Sequence, residues 1–217
     1  LFLLSCCLVL LTATPVFTQS SLIDSLDRLL ATTSKGGVQE VDVLLGKVRM
    51  FLFTGEYEEA EVLVKDVIQL AKKIDYKEGE ARAYVFHGMC MTPTGGLEKG
   101  LEYTQKGLRL AKAIPSTDIE VFALYNLAEY YMYDKNNIQR ALEILEEAAA
   151  KMDKTVSDKN KGNVHKVFGT AYLSKGKYEQ AKSHFEQALY HFEQVGLAPE
   201  VDPQLGRPSA DWIDGGV

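Results

Sequence analysis

The sequence predicts an all-α chain, a solenoid of helical hairpins, on three observations. It matches itself when slid by about forty residues, apolar residues recur at helical spacing inside each match, and a short polar turn interrupts each match near its middle. No single hairpin of this kind can bury both its faces, so stacking must supply the core.

The elements follow in order. Residues 1–19, within "LFLLSCCLVLLTATPVFTQS", hold no charged side chain, and an apolar run ends in small and turn-forming residues. This reads as the apolar region and cleavage zone of a secretory signal peptide, with cleavage expected near Thr18 and Gln19. The chain begins at Leu1 and has no basic leader, so a longer apolar run upstream is expected, and a retained N-terminal membrane anchor is the alternative. The mature protein is therefore expected to be periplasmic or secreted, or else membrane-anchored. Lipidation at Cys6 is disfavoured because the apolar run continues past it. With Cys6 and Cys7 removed, Cys90 stands alone and no internal disulfide is expected.

Residues 20–40 form a capping helix and linker, with Leu22, Leu26, Leu29 and Leu30 on one stripe. Residues 41–194 form the repeat domain, with units starting at 41, 81, 121 and 162. Within a unit the first helix carries apolar residues at i, i+3, i+4 and i+7, as in Tyr125, Ala128, Tyr131 and Met132. A turn follows, "TGEY" at 54–57 and "KGKY" at 175–178, whose glycine closes the helix and whose tyrosine is expected to pack over the turn. The second helix repeats the spacing with Ala181, Phe185, Ala188 and Phe192, and Phe185 is expected in the core. Small residues at Gly169, Ala181 and Ala188 permit close helix approach. The polar junctions "DYKEGE", "PSTDIE" and "TVSDKNK" are expected as linkers. Residues 195–217 hold four Gly and three Pro and are expected as a flexible tail carrying the lone Trp212.

Composition removes some functions. A net charge of −6 with lysines and arginines scattered among acids gives no basic track for a phosphate backbone, so no nucleic-acid partner is expected. His184 and His191, seven residues apart on one helix, lie about 10 Å apart along its axis and cannot share a zinc ion. His87 with Cys90 share a helical face, but no orienting carboxylate or oxyanion loop accompanies them, and a buried inert thiol is expected. "MTPTGG" lacks the strand and lysine of a phosphate loop. Acid pairs such as Glu58 with Glu59 belong on solvated faces. No catalytic residue, metal or cofactor is expected.

The repeat itself points to a family. Counted from Gly162, the residues His165, Phe168, Gly169, Tyr172, Ala181, Phe185 and Ala188 fall at positions 4, 7, 8, 11, 20, 24 and 27, which resembles the tetratricopeptide repeat. The unit from Val41 supplies Leu44, Lys47, Val48, Phe51, Ala60, Val64 and Val67. The unit from Ala81 supplies Tyr84, His87, Gly88, Met91, Gly100, Thr104 and Gly107, and the unit from Val121 slips by one residue in its "DKNN" turn.

This resemblance implies a right-handed superhelix whose first helices line a concave face. Carried over by position, the face comprises Asp42, Leu45, Arg49, Leu52 and Phe53, then Arg82, Val85, Phe86, Met89 and Thr92. It continues with Phe122, Tyr125, Asn126, Glu129, Met132 and Tyr133, then Asn163, Lys166, Val167, Thr170 and Leu173. The residues expected to contact a partner are Arg49, Phe53, Arg82, Phe86, Met89, Phe122, Tyr125, Asn126, Glu129, Met132, Tyr133 and Lys166. Tyr125 and Tyr133 could equally pack between helices. The family's clamp for a terminal carboxylate needs Lys and Asn where this chain has Leu45 and Arg49, so the resemblance implies a non-catalytic scaffold for a mixed apolar and polar protein or peptide. The long units also look like the extracytoplasmic N-terminal regions of bacterial membrane-bound sensors such as histidine kinases, cyclases or transcription regulators, which is the alternative expectation.

Overall fold

Amphipathic stripes and sharp stops divide the chain into helices that pair as hairpins. In a computed structural model, the structure describes residues 15–91, 95–133, 137–197, 201–202 and 207–208, with backbone alone for 15–22, 133 and the last two pairs. A leading helix α1 (Pro15–Thr32) precedes the pair α2 (Val38–Thr54) and α3 (Tyr57–Lys73), then α4 (Lys77–Met91) and α5 (Leu97–Lys112). The pair α6 (Thr117–Tyr133) and α7 (Ile138–Ala150) follows, then α8 (Asp158–Ser174) and α9 (Tyr178–Gln194). Beyond them Val201–Asp202 pairs antiparallel with Arg207–Pro208, a small ladder in the segment for which the sequence predicts no regular structure. Thr92 and Trp212 lie outside the described residues.

Each stop has a local cause. After α8, Gly176 takes φ 69, its N–H reaches the Leu173 carbonyl at 2.9 Å, and Lys177 N–H reaches Tyr172 at 2.9 Å. These two bonds satisfy carbonyls that a helix end leaves orphaned. At the end of α3 the same pair of bonds forms around Asp75, whose φ of 56 is a conformation that aspartate tolerates better than most residues.

The junctions expected as linkers are mostly helix. Lys77–Glu80 opens α4, Thr117–Glu120 opens α6 and Asp158–Lys161 opens α8. Their acids, Glu78 and Glu80, Asp118 and Glu120, and Asp158, sit where the positive end of the helix dipole favours them. The extra residues of each unit thus lengthen its first helix by about one turn at its N-terminal end.

Two large apolar clusters hold the array together. One, with Val41, Val48, Val64 and Val67 fully buried, joins the first two hairpins through Ala83, Tyr84, Phe86 and Cys90. The other runs from Ala81 and Val85 through Leu124, Ala128 and Leu145 to Val164 and Phe168. Helices α4 and α6 pack against hairpin partners and against first helices on both sides, so they are buried over most of their circumference. Close approach within hairpins depends on missing side chains: a Cβ on Gly169 would sit 2.6 Å from the Phe185 ring, and one on Gly88 would sit 2.7 Å from the Gly100 carbonyl.

The last hairpin departs from expectation. Phe185 is only half-buried and packs with Ala188 and Phe192, because α9 has no following hairpin against its outer face among the described residues. Tyr178 is 69% exposed rather than folded over its turn, whereas Tyr57, at the same place in the first hairpin, lies near Gly55.

Candidate functional site

The first helices pack side by side, α2 on α4, α4 on α6 and α6 on α8, and their free faces enclose a cavity of about 870 Å³. Its wall contains Arg49, Arg82, Phe86, Met89, Phe122, Tyr125, Asn126, Glu129, Met132 and Lys166, ten of the twelve residues singled out in the sequence. Phe53 is not on the wall; it sits 44% exposed at the end of α2. The Tyr133 side chain lies outside the described residues. Among the other concave positions, Val85 and Val167 belong to the core, where neighbouring helices cover them, and Leu173 lies off the wall at 41% exposed.

Aromatic edges make the floor. Phe86 on α4 meets Phe122 on α6 edge-on at 5.5 Å, and Phe122 meets Tyr125 at 5.7 Å and 90°. Tyr125 is largely buried, so it works chiefly as packing, and its hydroxyl accepts from Asn163 Nδ2 at 3.3 Å. Asn126 is fixed by donating to the Phe122 carbonyl at 2.7 Å. Met89 and Met132 are partly buried and supply adaptable apolar surface beside the rings.

The sequence reading missed a second set of wall residues: Asp118, Ser157, Lys159 and Asn160. All come from first turns that had been expected as linkers. Ser157 caps α8 through Asn160 N–H, and Asp118 from α6 accepts from Ser157 N–H at 2.8 Å, Ser157 Oγ at 2.8 Å and Asn160 Nδ2 at 2.8 Å. This clamp fixes the start of α8 against α6, and Lys159 stands beside it. A signal was available: "SDKN" has serine three residues before asparagine at the head of an amphipathic stripe.

Electrostatics divides the cavity. Burial pushes the Lys159 amine down to about 8, with Arg49 and Arg82 pushing the same way, so the two arginines act on Lys159 from their places on the same wall. Burial raises the Glu129 carboxyl, and Lys166 partly offsets that rise. Burial raises the Tyr125 phenol, which Glu129 reinforces.

The other residues considered for chemistry lie in the core or between packed helices. Cys90 is fully buried, and burial pushes its thiol up to about 12, leaving it protonated at neutral pH. His87 is buried with its ring stacked on Tyr103 at 3.9 Å. His165, His184 and His191 come together between α8 and α9: His165 Nδ1 lies 3.1 Å from His184 Nδ1 and its ring stacks on His191 at 5.8 Å. Even so, no group of three or more His, Cys, Asp or Glu among the described residues is placed to hold a metal ion. No helix among the described residues is long and apolar enough to cross a membrane.

Comparisons with known proteins bear on the fold. The tetratricopeptide repeat family description matches residues 119–194. No curated protein matches the chain. Among solved structures, the crystal structure of BtubC (BKLC) from P. vanneervenii is similar with a TM-score of 0.56 at 12% identity, over 82% of this chain and 75% of that one. A crystal structure of nearly identical TPR-like repeats of a putative kinesin light chain from Podosopora anserina, in a form carrying a glutamine-to-methionine substitution, gives 0.53 at 18% identity, over 83% of this chain and 90% of that one. A second structure of the same Podosopora anserina repeats gives 0.51 at 17% identity, over 83% of this chain and 90% of that one. Residues 119–194 thus carry the tetratricopeptide repeat signature, and the described helices as a whole adopt the all-α solenoid fold of tetratricopeptide-like superhelices.

Proposed function

We propose that this protein is a non-catalytic scaffold that holds a protein or peptide segment in the concave cavity. The observation that carries this reading is the wall itself: partly buried Met89, Met132 and Phe122 beside ordered Asn126 and Asn163 and cationic side chains. Apolar and aromatic surface flanked by hydrogen-bonding groups is the composition of a recognition surface, and solenoids of this class present such surfaces on their concave side. The test is capture of binding proteins from an extract of the source cells by the immobilised full chain and by a Met89→Glu, Met132→Glu variant. Capture should fall about tenfold or more in the variant, as expected when charge enters the apolar centre of an interface, with an unchanged melting temperature. Equal capture by both chains contradicts the reading.

We infer further that the chain is exported, an inference supported by the apolar run Leu1–Leu11 and the absence of any charged side chain over residues 1–19. Residues 1–40 fused to alkaline phosphatase, which is active only outside the cytoplasm, should give enzyme activity; an inactive fusion sinks the inference.

A further inference from the structure

Arg49 on α2, Arg82 on α4 and Lys159 on α8 reach one cavity from the first, second and fourth hairpins. None of the three makes an ion pair among the described residues, although eleven such pairs form elsewhere. The carboxylates on the same wall are engaged: Asp42 accepts from the Tyr76 hydroxyl at 3.1 Å, Asp118 holds the start of α8, and Glu129 lies within the field of Lys166. Because the Asp118 clamp fixes that turn, Lys159 is held on the same wall as the two arginines, and burial first, then the two arginines, make its amine give up its proton more readily.

Resting on the groove reading above, we propose that the occupant is an acidic peptide segment whose Asp or Glu side chains are received by Arg49, Arg82 and Lys159. An anion there turns mutual repulsion into attraction, and the planar arginine forks suit carboxylates. The floor of Phe86, Phe122, Met89 and Met132 selects a peptide over a small anion, since an inorganic ion has nothing to bury against it.

Three fluorescent peptides of one length test this with the full chain: Glu alternating with Leu, Gln alternating with Leu, and Lys alternating with Leu. The Glu peptide should bind about tenfold or more tighter than the Gln peptide, with the Lys peptide weakest, and the preference should shrink as salt is added. Lys159→Met and Arg82→Gln should each reduce that preference about fivefold, as loss of one charge partner does, while Lys182→Gln on α9 leaves it unchanged. Arg49→Gln, at an exposed position, serves if the Lys159 variant fails to fold. Equal binding of Glu and Gln peptides overturns the inference and leaves the groove reading standing; binding of neither overturns both. Displacement of the Glu peptide by inorganic phosphate at matched ionic strength marks a small-anion site and overturns the peptide assignment.

Discussion

His165 illustrates how one side chain can carry a pH dependence. It is buried at the contact between α8 and α9, facing His184 and His191 on α9, with Asp158 2.8 Å from His191. Burial, then the two neighbouring histidines, push its folded pKa down to about 4 from the ordinary histidine value of 6.5. A depressed histidine favours the folded state only while neutral. Its contribution is therefore complete above about pH 6.5, is lost as pH falls toward about 4, and changes no further below that. The loss has an upper bound of roughly 3 to 4 kcal/mol. Urea unfolding at a series of pH values should show stability falling across this window, and His165→Phe should flatten the slope. An unchanged slope in the variant contradicts the assignment. Asp118 makes the complementary point, since one half-buried carboxylate positions a helix start through three hydrogen bonds.

At the scale of elements, the sequence made the hairpins legible and their beginnings less so. Turns at "TGEY" and "KGKY" fall where α2 gives way to α3 and α8 to α9, because glycine with a following tyrosine is a strong local stop. Ala60, Ala128, Ala181 and Ala188 are buried as their repeat positions require. "DYKEGE", "PSTDIE" and "TVSDKNK" misled because their polarity, which suits a loop, equally suits an exposed helical first turn with acids at the dipole's positive end. That ambiguity hid Lys159, which joins Arg49 and Arg82 on the cationic side of the cavity, and hid Ser157 and Asn160, which fix the start of α8 beside it. Val85 and Val167 occupy positions that the family turns toward the concave face, yet tight packing of α4 and α8 against their neighbours buries them. Phe185 stays half-buried for a related reason, since the last described helix lacks the neighbour that completes burial in an inner repeat.

At the scale of the whole molecule, the array brings together groups remote in sequence. Arg49 and Lys159 are 110 positions apart, yet both border the same cavity. Such convergence is a property of stacking rather than of any local motif, so it could be read only from the assembled solenoid. The central claim is that this concave cavity, and not the convex surface, receives a partner. Photo-cross-linking tests it most directly, with benzoylphenylalanine placed either at Met89 or Met132 on the cavity wall or at Val62, which is 65% exposed and lies outside that wall. Irradiation in the source cells should give discrete protein adducts from positions 89 and 132 and none from 62. Adducts from position 62 with none from 89 or 132 would contradict the account.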